Sequence, residues 1–141
     1  MNVSTVTRFK KREKGSAVVE FAVVLPILLA FLFGILEFGR VMMVCHTLNN
    51  AARVGARIAV LPGADNSTVL NAINSELNGS GLTMDDIQFS PSNIADADRD
   101  DPITVSVKIN YDSIGFVTGF FPMLNGMQFE GTAVMCKEGF I

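Results

Sequence analysis

The stretch that decides the fold runs from Phe21 to Leu36 and reads FAVVLPILLAFLFGIL. None of its sixteen residues has a polar side chain, and extension back to Ala17 gives twenty residues with Glu20 as the single charge. A helix needs about 20 residues to cross the hydrocarbon core of a bilayer. The sequence therefore predicts a transmembrane helix over about residues 17–36 and a lipid bilayer as its surroundings.

Basic residues come directly before this apolar run. Five of the eleven Lys and Arg residues precede Gly15 and only Glu13 opposes them, so the first fifteen residues carry +4. Because such clusters stay in the cytoplasm, we expect a single-pass protein with a cytoplasmic N-terminus and its C-terminal part outside. A secretory signal would end in a small-residue cleavage site, whereas Glu37 to Arg40 follow here, so we expect the apolar segment to be retained.

The length, composition and charge of the chain exclude several classes of protein. A chain of 141 residues is too short for a multi-domain enzyme, and a composition of 49% hydrophobic and 18% charged residues is not that of a disordered chain. After the basic leader, six Lys or Arg residues face thirteen Asp or Glu residues, a net charge of −7. This part of the chain is a poor partner for a polyanion, so we expect no nucleic acid.

Helical periodicity continues beyond Leu36. Apolar or small residues recur every three or four positions, and a separate polar stripe keeps the same period. The sequence predicts one continuous helix from about residue 16 to residue 60, stopped at Leu61-Pro62-Gly63. Its small residues allow close approach of the protein's own sheet or of a neighbouring helix, and we favour the sheet. The apolar stripe is Phe38, Val41, Cys45, Leu48, Ala52, Gly55 and Ala59, and the polar stripe is Arg40, His46, Asn50, Arg53 and Arg57.

The remaining residues predict a small α+β domain. A short helix is expected to begin with a cap at Asn66-Ser67-Thr68 and to end at Gly79 and Gly81. Alternating patterns predict strands over residues 86–89, 103–111 and 127–135, with the apolar segment 114–124 as a loop that is either buried or a docking surface. The predicted fold class is α+β, a long N-terminal helix packed on a small antiparallel sheet.

The residues around the start of the helix have a recognisable order. The string KGSAVVEF at residues 14–21 places a glycine, four small or apolar residues, a glutamate and an aromatic residue before the apolar run, and it resembles the processing site of type IV prepilins. The longer strings GSAVVEFAVVLPILLAFLFGILEFGR and LNNAARVGARIAV resemble the TadE-like family, the minor pilins or pseudopilins of tight-adherence (Tad, Flp-type) pili. The resemblance covers about residues 15–61 and implies a pilin-like fold.

The resemblance also implies roles for individual residues. A prepilin peptidase would cut between Gly15 and Ser16, which makes Ser16 the first and Glu20 the fifth residue of the mature chain. In pilin-like assemblies such a glutamate neutralises the amino terminus of a neighbouring subunit, whereas on position alone Glu20 would only lie at the cytoplasmic interface. Pro26 would kink the helix, because its nitrogen carries no hydrogen to donate.

Other candidates for chemistry are weak. Cys45 and Cys136 would both lie outside the membrane, and two readings stay open, a disulfide between helix and last strand or two unpaired thiols. His46 adjoins Cys45, but adjacent helix residues point apart. The acidic run DADRDD at residues 96–101 lacks the glycine and glutamate of a calcium loop. We therefore expect no enzyme, no cofactor and no metal site.

These observations favour a minor pilin or pseudopilin of a Tad-type pilus in the bacterial inner membrane, with a periplasmic C-terminal domain that enters or helps to build an extracellular fibre. Its expected partners are a prepilin peptidase, other pilin subunits and the membrane assembly platform. The expected segments are a cytoplasmic leader over residues 1–15, the long helix over 16–61 and an extracytoplasmic domain over 62–141. The alternative is an uncleaved single-pass scaffold or binding module of an envelope secretion machine.

Overall fold

The computed structural model describes residues 10–114 and 125–138, with side chains from Gly15 onward. The predicted α+β fold is confirmed: a long N-terminal helix is followed by a short helix and a small antiparallel sheet. Two single 3-10 turns lie at Ile94–Asp96 and Tyr111–Ser113. The helices and strands in chain order are α1 (Lys10–Ala59), α2 (Asn66–Gly79), β1 (Asp86–Ser90), β2 (Pro102–Asn110) and β3 (Gln128–Cys136).

The chain forms two compact units that meet within α1, after Phe38. The first unit contains the apolar part of α1. Among the described residues, α1 is the one helix long and apolar enough to cross a membrane, and its apolar stretch is not buried by the protein. Phe31, for example, is 72% exposed and Ile35 is 64% exposed. Side chains of this kind on the outside of a helix are stable in lipid and costly in water.

The second unit consists of the rest of α1, α2 and the sheet. The strand order is β1-β2-β3, with both pairs antiparallel, so β2 is central. The alternation of apolar and polar residues predicted for this strand is confirmed, because the apolar face of β2 is completely buried. The core consists of that face, the α2 residues Val69, Ile73 and Leu77, and the α1 residues Val44, Leu48, Ala51, Ala52, Ala56 and Ala59; the β2 residues are Ile103, Val105, Val107 and Ile109.

Two glycines set how closely α1 and its neighbours pack. A Cβ atom on Gly131 in β3 would lie 2.4 Å from the backbone carbonyl carbon of Leu48, a distance that real Cβ atoms do not reach. A Cβ atom on Gly55 would lie 2.6 Å from Cδ1 of Ile73 and 3.3 Å from Cγ1 of Val105. The small residues of α1 therefore serve contact with the protein's own domain, as predicted.

The end of α1 is held by a buried lysine. Lys137 is 9% exposed, and its Nζ donates to the carbonyl oxygens of Ala59 at 3.5 Å and Ile94 at 3.2 Å. The backbone N–H of Glu138 donates to the carbonyl of Val60 at 3.0 Å. A cation at a helix C-terminus satisfies carbonyls that have no partner within the helix. Lys137 thus joins the end of β3 to the end of α1.

The cap of α2 differs by one residue from the prediction. Asp65, not Asn66, is the N-cap, and its carboxylate accepts hydrogen bonds from the Thr68 N–H at 2.9 Å and from the hydroxyls of Thr68 and Ser67. Asn66 has a different role: its side-chain amide donates to the Ser92 carbonyl and its oxygen accepts from the Ile94 N–H. Either side chain satisfies a cap pattern in sequence, so the sequence alone did not separate them.

Other boundaries are close to the predicted ones. α1 begins at Lys10 rather than near Ser16, because the basic residues before Gly15 are good helix formers and extend it. The three strands lie within one residue of their predicted positions. Of the apolar segment 114–124, Ile114 is buried and the rest lies outside the described residues. The backbone carbonyl of Ile114 accepts a hydrogen bond from Nε of Arg40.

We predict that Gly131→Ala destabilises the second unit. The added methyl has no space against the backbone of Leu48, and overpacking of this kind costs about 1–3 kcal/mol. The check is urea unfolding of the full chain in detergent, followed by the fluorescence of Tyr111, the single tyrosine in a chain without tryptophan. Gly79→Ala is the matched control, because a Cβ there meets nothing within 4 Å. Equal midpoints for the two variants would contradict the close approach.

We also predict a pH-dependent contribution from Asp65. The hydroxyl and the backbone N–H of Thr68, with the Ser67 hydroxyl, lower the pKa of Asp65 below its ordinary value of 3.8. A carboxyl with a lower pKa in the folded than in the unfolded state stabilises at pH values above its unfolded pKa. That contribution is lost as the pH falls through the folded pKa.

The check is the difference in urea midpoint between the native chain and Asp65→Ala. It should be present at neutral pH and should shrink once the pH falls below about 4. Asp65→Asn keeps a capping oxygen without a titrating charge, so it should stay close to the native midpoint at neutral pH. A difference between native chain and Asp65→Ala that grows on acidification would contradict this assignment.

Candidate functional site: the processing segment and the membrane helix

The predicted cleavage site lies inside α1. Gly15 and Ser16 are both exposed, and a Cβ on Gly15 would meet no described atom within 4 Å apart from its chain neighbours and the local helix backbone. The peptide bond between them is therefore open to the surroundings but held in helical form. Glycine is about 1 kcal/mol less favourable in a helix than alanine, so this is a point where α1 unwinds at low cost.

Glu20 lies one helical turn beyond Ser16. The Ser16 hydroxyl donates to Oε1 of Glu20 at 3.2 Å, and both side chains are exposed. Both residues were predicted from the sequence, but their hydrogen bond was not, although side chains at i,i+4 spacing can meet. A chain that began at Ser16 would have its α-amino group in the same turn as this carboxylate.

Pro26 lies within α1 and is exposed. Its nitrogen has no hydrogen, so it cannot donate to the carbonyl of Ala22, four residues earlier. The helix is nevertheless assigned as continuous through this point. The kink stays a prediction.

The apolar part of α1 presents an open apolar groove. Ala30 and Gly34 form its floor because their side chains are small, and larger apolar residues form its rims. In membranes, small residues four apart allow a second helix to approach closely. The groove is lined by Ile27, Ala30, Phe31, Gly34, Ile35 and Phe38.

The structure does not bring the two cysteines together. Cys45 and Cys136 are both free, the first half-buried and the second exposed. Because Glu138 binds the backbone at Val60, Cys136 lies near the end of α1. Cys45 precedes Val60 by fifteen residues, which is about 22 Å along the helix axis. A disulfide needs Cα atoms within about 7 Å, so the helix-to-strand bridge left open by the sequence does not form within this chain.

The remaining sequence candidates do not converge on a reactive centre. His46 is exposed on α1, and the aspartates of DADRDD lie in an exposed turn before β2. Within residues 15–114 and 125–138, no group of three or more His, Cys, Asp or Glu side chains is placed to hold a metal ion. The predicted site residues that the structure does bring together are Ser16 and Glu20, at the start of α1.

Comparison with known families agrees with this location. The family model described as TadE-like protein matches residues 15–57, so the resemblance to the TadE-like family is confirmed over that segment. The match begins at Gly15 and ends two residues before the end of α1. No curated protein and no solved structure matches the chain.

Proposed function

We propose that the protein is a minor pilin or pseudopilin of a Tad-type pilus. The observation that carries the proposal is the family match, which starts at Gly15, the residue after which a prepilin peptidase would cut, and covers the membrane helix. In this proposal α1 anchors the chain in the bacterial inner membrane. The basic leader lies in the cytoplasm and residues 62–141 lie in the periplasm.

Removal of the leader has a physical purpose in this scheme. The five Lys and Arg residues before Gly15 hold the N-terminus at the cytoplasmic surface, because moving them into hydrocarbon is costly. Without them, an exposed apolar helix and a single carboxylate remain in the membrane segment up to Leu36. Such a helix is free to leave lipid for a bundle of similar helices.

The proposed role is structural and not enzymatic. The apolar groove over Ala30 and Gly34 fits the helix of another pilin subunit or of the assembly platform. Glu20 would compensate the ammonium group of a neighbouring subunit inside that bundle, and its present partner, the Ser16 hydroxyl, can be exchanged at little cost. Through these contacts the protein would act in the assembly and anchoring of an adhesive fibre.

A second candidate is an uncleaved single-pass scaffold of an envelope secretion machine. The continuity of α1 from Lys10 through Gly15 favours it, because a helical peptide bond must unwind before a peptidase cuts it. In that case Glu20 would lie at the cytoplasmic interface and the leader would stay attached.

We predict a peptidase-dependent N-terminus at Ser16. Intact mass and N-terminal sequencing of the protein from membranes should show the shortened chain in cells with the prepilin peptidase and the full chain in cells without it. Gly15→Ala should slow cleavage, because alanine stabilises the helix and its methyl group lies beside the peptide bond that the peptidase must reach. Gly39→Ala is the matched control, since Gly39 lies in the same helix and is equally open. A full-length chain in both cell types would leave the scaffold as the better account.

We predict that Glu20→Gln separates cleavage from assembly. The shortened chain should still be produced, but its amount in sheared surface fibres or in complexes with other pilins should fall at least about tenfold. An uncompensated ammonium group in an apolar bundle costs about 2.5–3.5 kcal/mol by membrane insertion scales. Glu20→Asp, which keeps the charge, is the control. Normal assembly of the glutamine variant would show that the carboxylate is not needed.

A further inference from the structure

Two arginines on the outer face of α1 have no partner in the structure. Arg53 and Arg57 are both exposed and lie one turn apart, on the same stripe as His46 and Asn50. Within the described residues neither guanidinium has a hydrogen bond or an ion pair. Like charges four residues apart on a helix repel each other, so this pair does not stabilise α1 by itself. We call Arg53 and Arg57 the arginine face.

The other basic side chains of the second unit are already engaged. Apart from the arginine face, every described Lys and Arg after Gly39 makes a hydrogen bond or an ion pair. Guanidinium groups are suited to bidentate contact with carboxylates, so an open pair has the chemistry to bind acidic groups. The engaged contacts are Arg40 with the Ile114 carbonyl, Arg99 with Asp100, Lys108 with Gln88, and Lys137 with the Ala59 and Ile94 carbonyls.

A surface of opposite charge lies elsewhere on the same unit. Residues 96–101, here the acidic loop, contain four exposed aspartates and one arginine, a net charge of −3. The loop is held in place by its backbone: the Asp100 N–H donates to the Lys137 carbonyl at 3.1 Å, and the Lys137 N–H donates to the Asp101 carbonyl at 2.9 Å. Within the loop, the Asp98 N–H also donates to Oδ2 of Asp101 at 3.0 Å. The aspartates therefore lie in an exposed loop that is fixed beside the end of β3.

The two surfaces do not neutralise each other within one chain. The one ion pair among the described residues joins Arg99 and Asp100, at 3.9 Å, inside the acidic loop itself. We infer that the arginine face of one copy binds the acidic loop of a second copy. Each copy carries both surfaces, so the contact can be made reciprocally in a two-fold pair or can repeat from copy to copy. The inference deepens the proposed function, on which it rests, by naming a second copy as a partner in the assembly.

Charge and size favour a second copy over an extended polyanion. Nucleic acid or an anionic lipid surface would require further basic residues around the arginine face, and the polar stripe of α1 beyond Asn50 has only these two. Screening limits electrostatic attraction to about 8 Å at physiological ionic strength, so the local surfaces decide the contact although the unit as a whole is acidic.

The test is a reciprocal charge reversal in the full chain. Two copies with different affinity tags are co-expressed with the prepilin peptidase, extracted in mild detergent and co-purified. Arg53→Glu with Arg57→Glu, and separately Asp98→Arg with Asp100→Arg, should each lower co-purification about tenfold, because attraction becomes repulsion at two positions. Co-expression of the first variant with the second should restore it, since each altered surface then meets its complement.

The control is Lys108→Glu, a charge reversal on the outer face of the sheet that should leave co-purification unchanged. Tyr111 fluorescence confirms that each variant is folded. Unchanged co-purification in either reversed variant, or failure of the mixed pair to recover it, overturns the inference. The N-terminus at Ser16 is measured in the same samples, so loss of this contact with normal processing leaves the proposed function standing.

Discussion

The second unit depends on the close approach of two backbones. Gly131 lies against the backbone of Leu48, where no side chain would fit, and Gly55 leaves room for Ile73. Because helix and sheet touch at this distance, the small residues of α1 are fully buried in the core, together with Val105 and Val107 of β2. Lys137 and the Asp65 cap bind backbone groups at the ends of α1 and α2.

The polarity and burial of the α1 side chains change after Phe38. Up to Phe38 the large apolar residues surround α1 on all sides and are exposed. From Gly39 onward, the apolar residues narrow to a stripe that is buried under the sheet, and the opposite face carries arginine and asparagine. A helix that is apolar all round suits lipid or a helical bundle, whereas an amphipathic one suits a single packed face.

Much of this was predictable because it depends on periodicity. The alternation from Ile103 to Ile109 identified the central strand, and the three- and four-residue spacing beyond Leu36 identified the continuation of α1. The sequence did not predict which residues of distant segments lie next to each other. The contact of Gly131 with Leu48, the burial of Lys137 and the separation of Cys45 from Cys136 all follow from how β3 is laid along α1. At the candidate site, the residues were identified in advance, but their hydrogen bond was not.

The start of α1 is where the charge of the chain changes from basic to acidic. The basic residues before Gly15 and the acidic excess after it are separated by an apolar segment, residues 17–36, whose single charge is Glu20. In the proposed function, the cations of the attached leader hold the helix in the bilayer, and Glu20 is a minor cost near the surface. In a chain that begins at Ser16, the Glu20 carboxylate and the new ammonium group would be the two charges of an apolar helix. Each would be best compensated by the opposite charge on a neighbouring subunit. A single cleavage would then turn a membrane anchor into a subunit that is more stable among copies than alone.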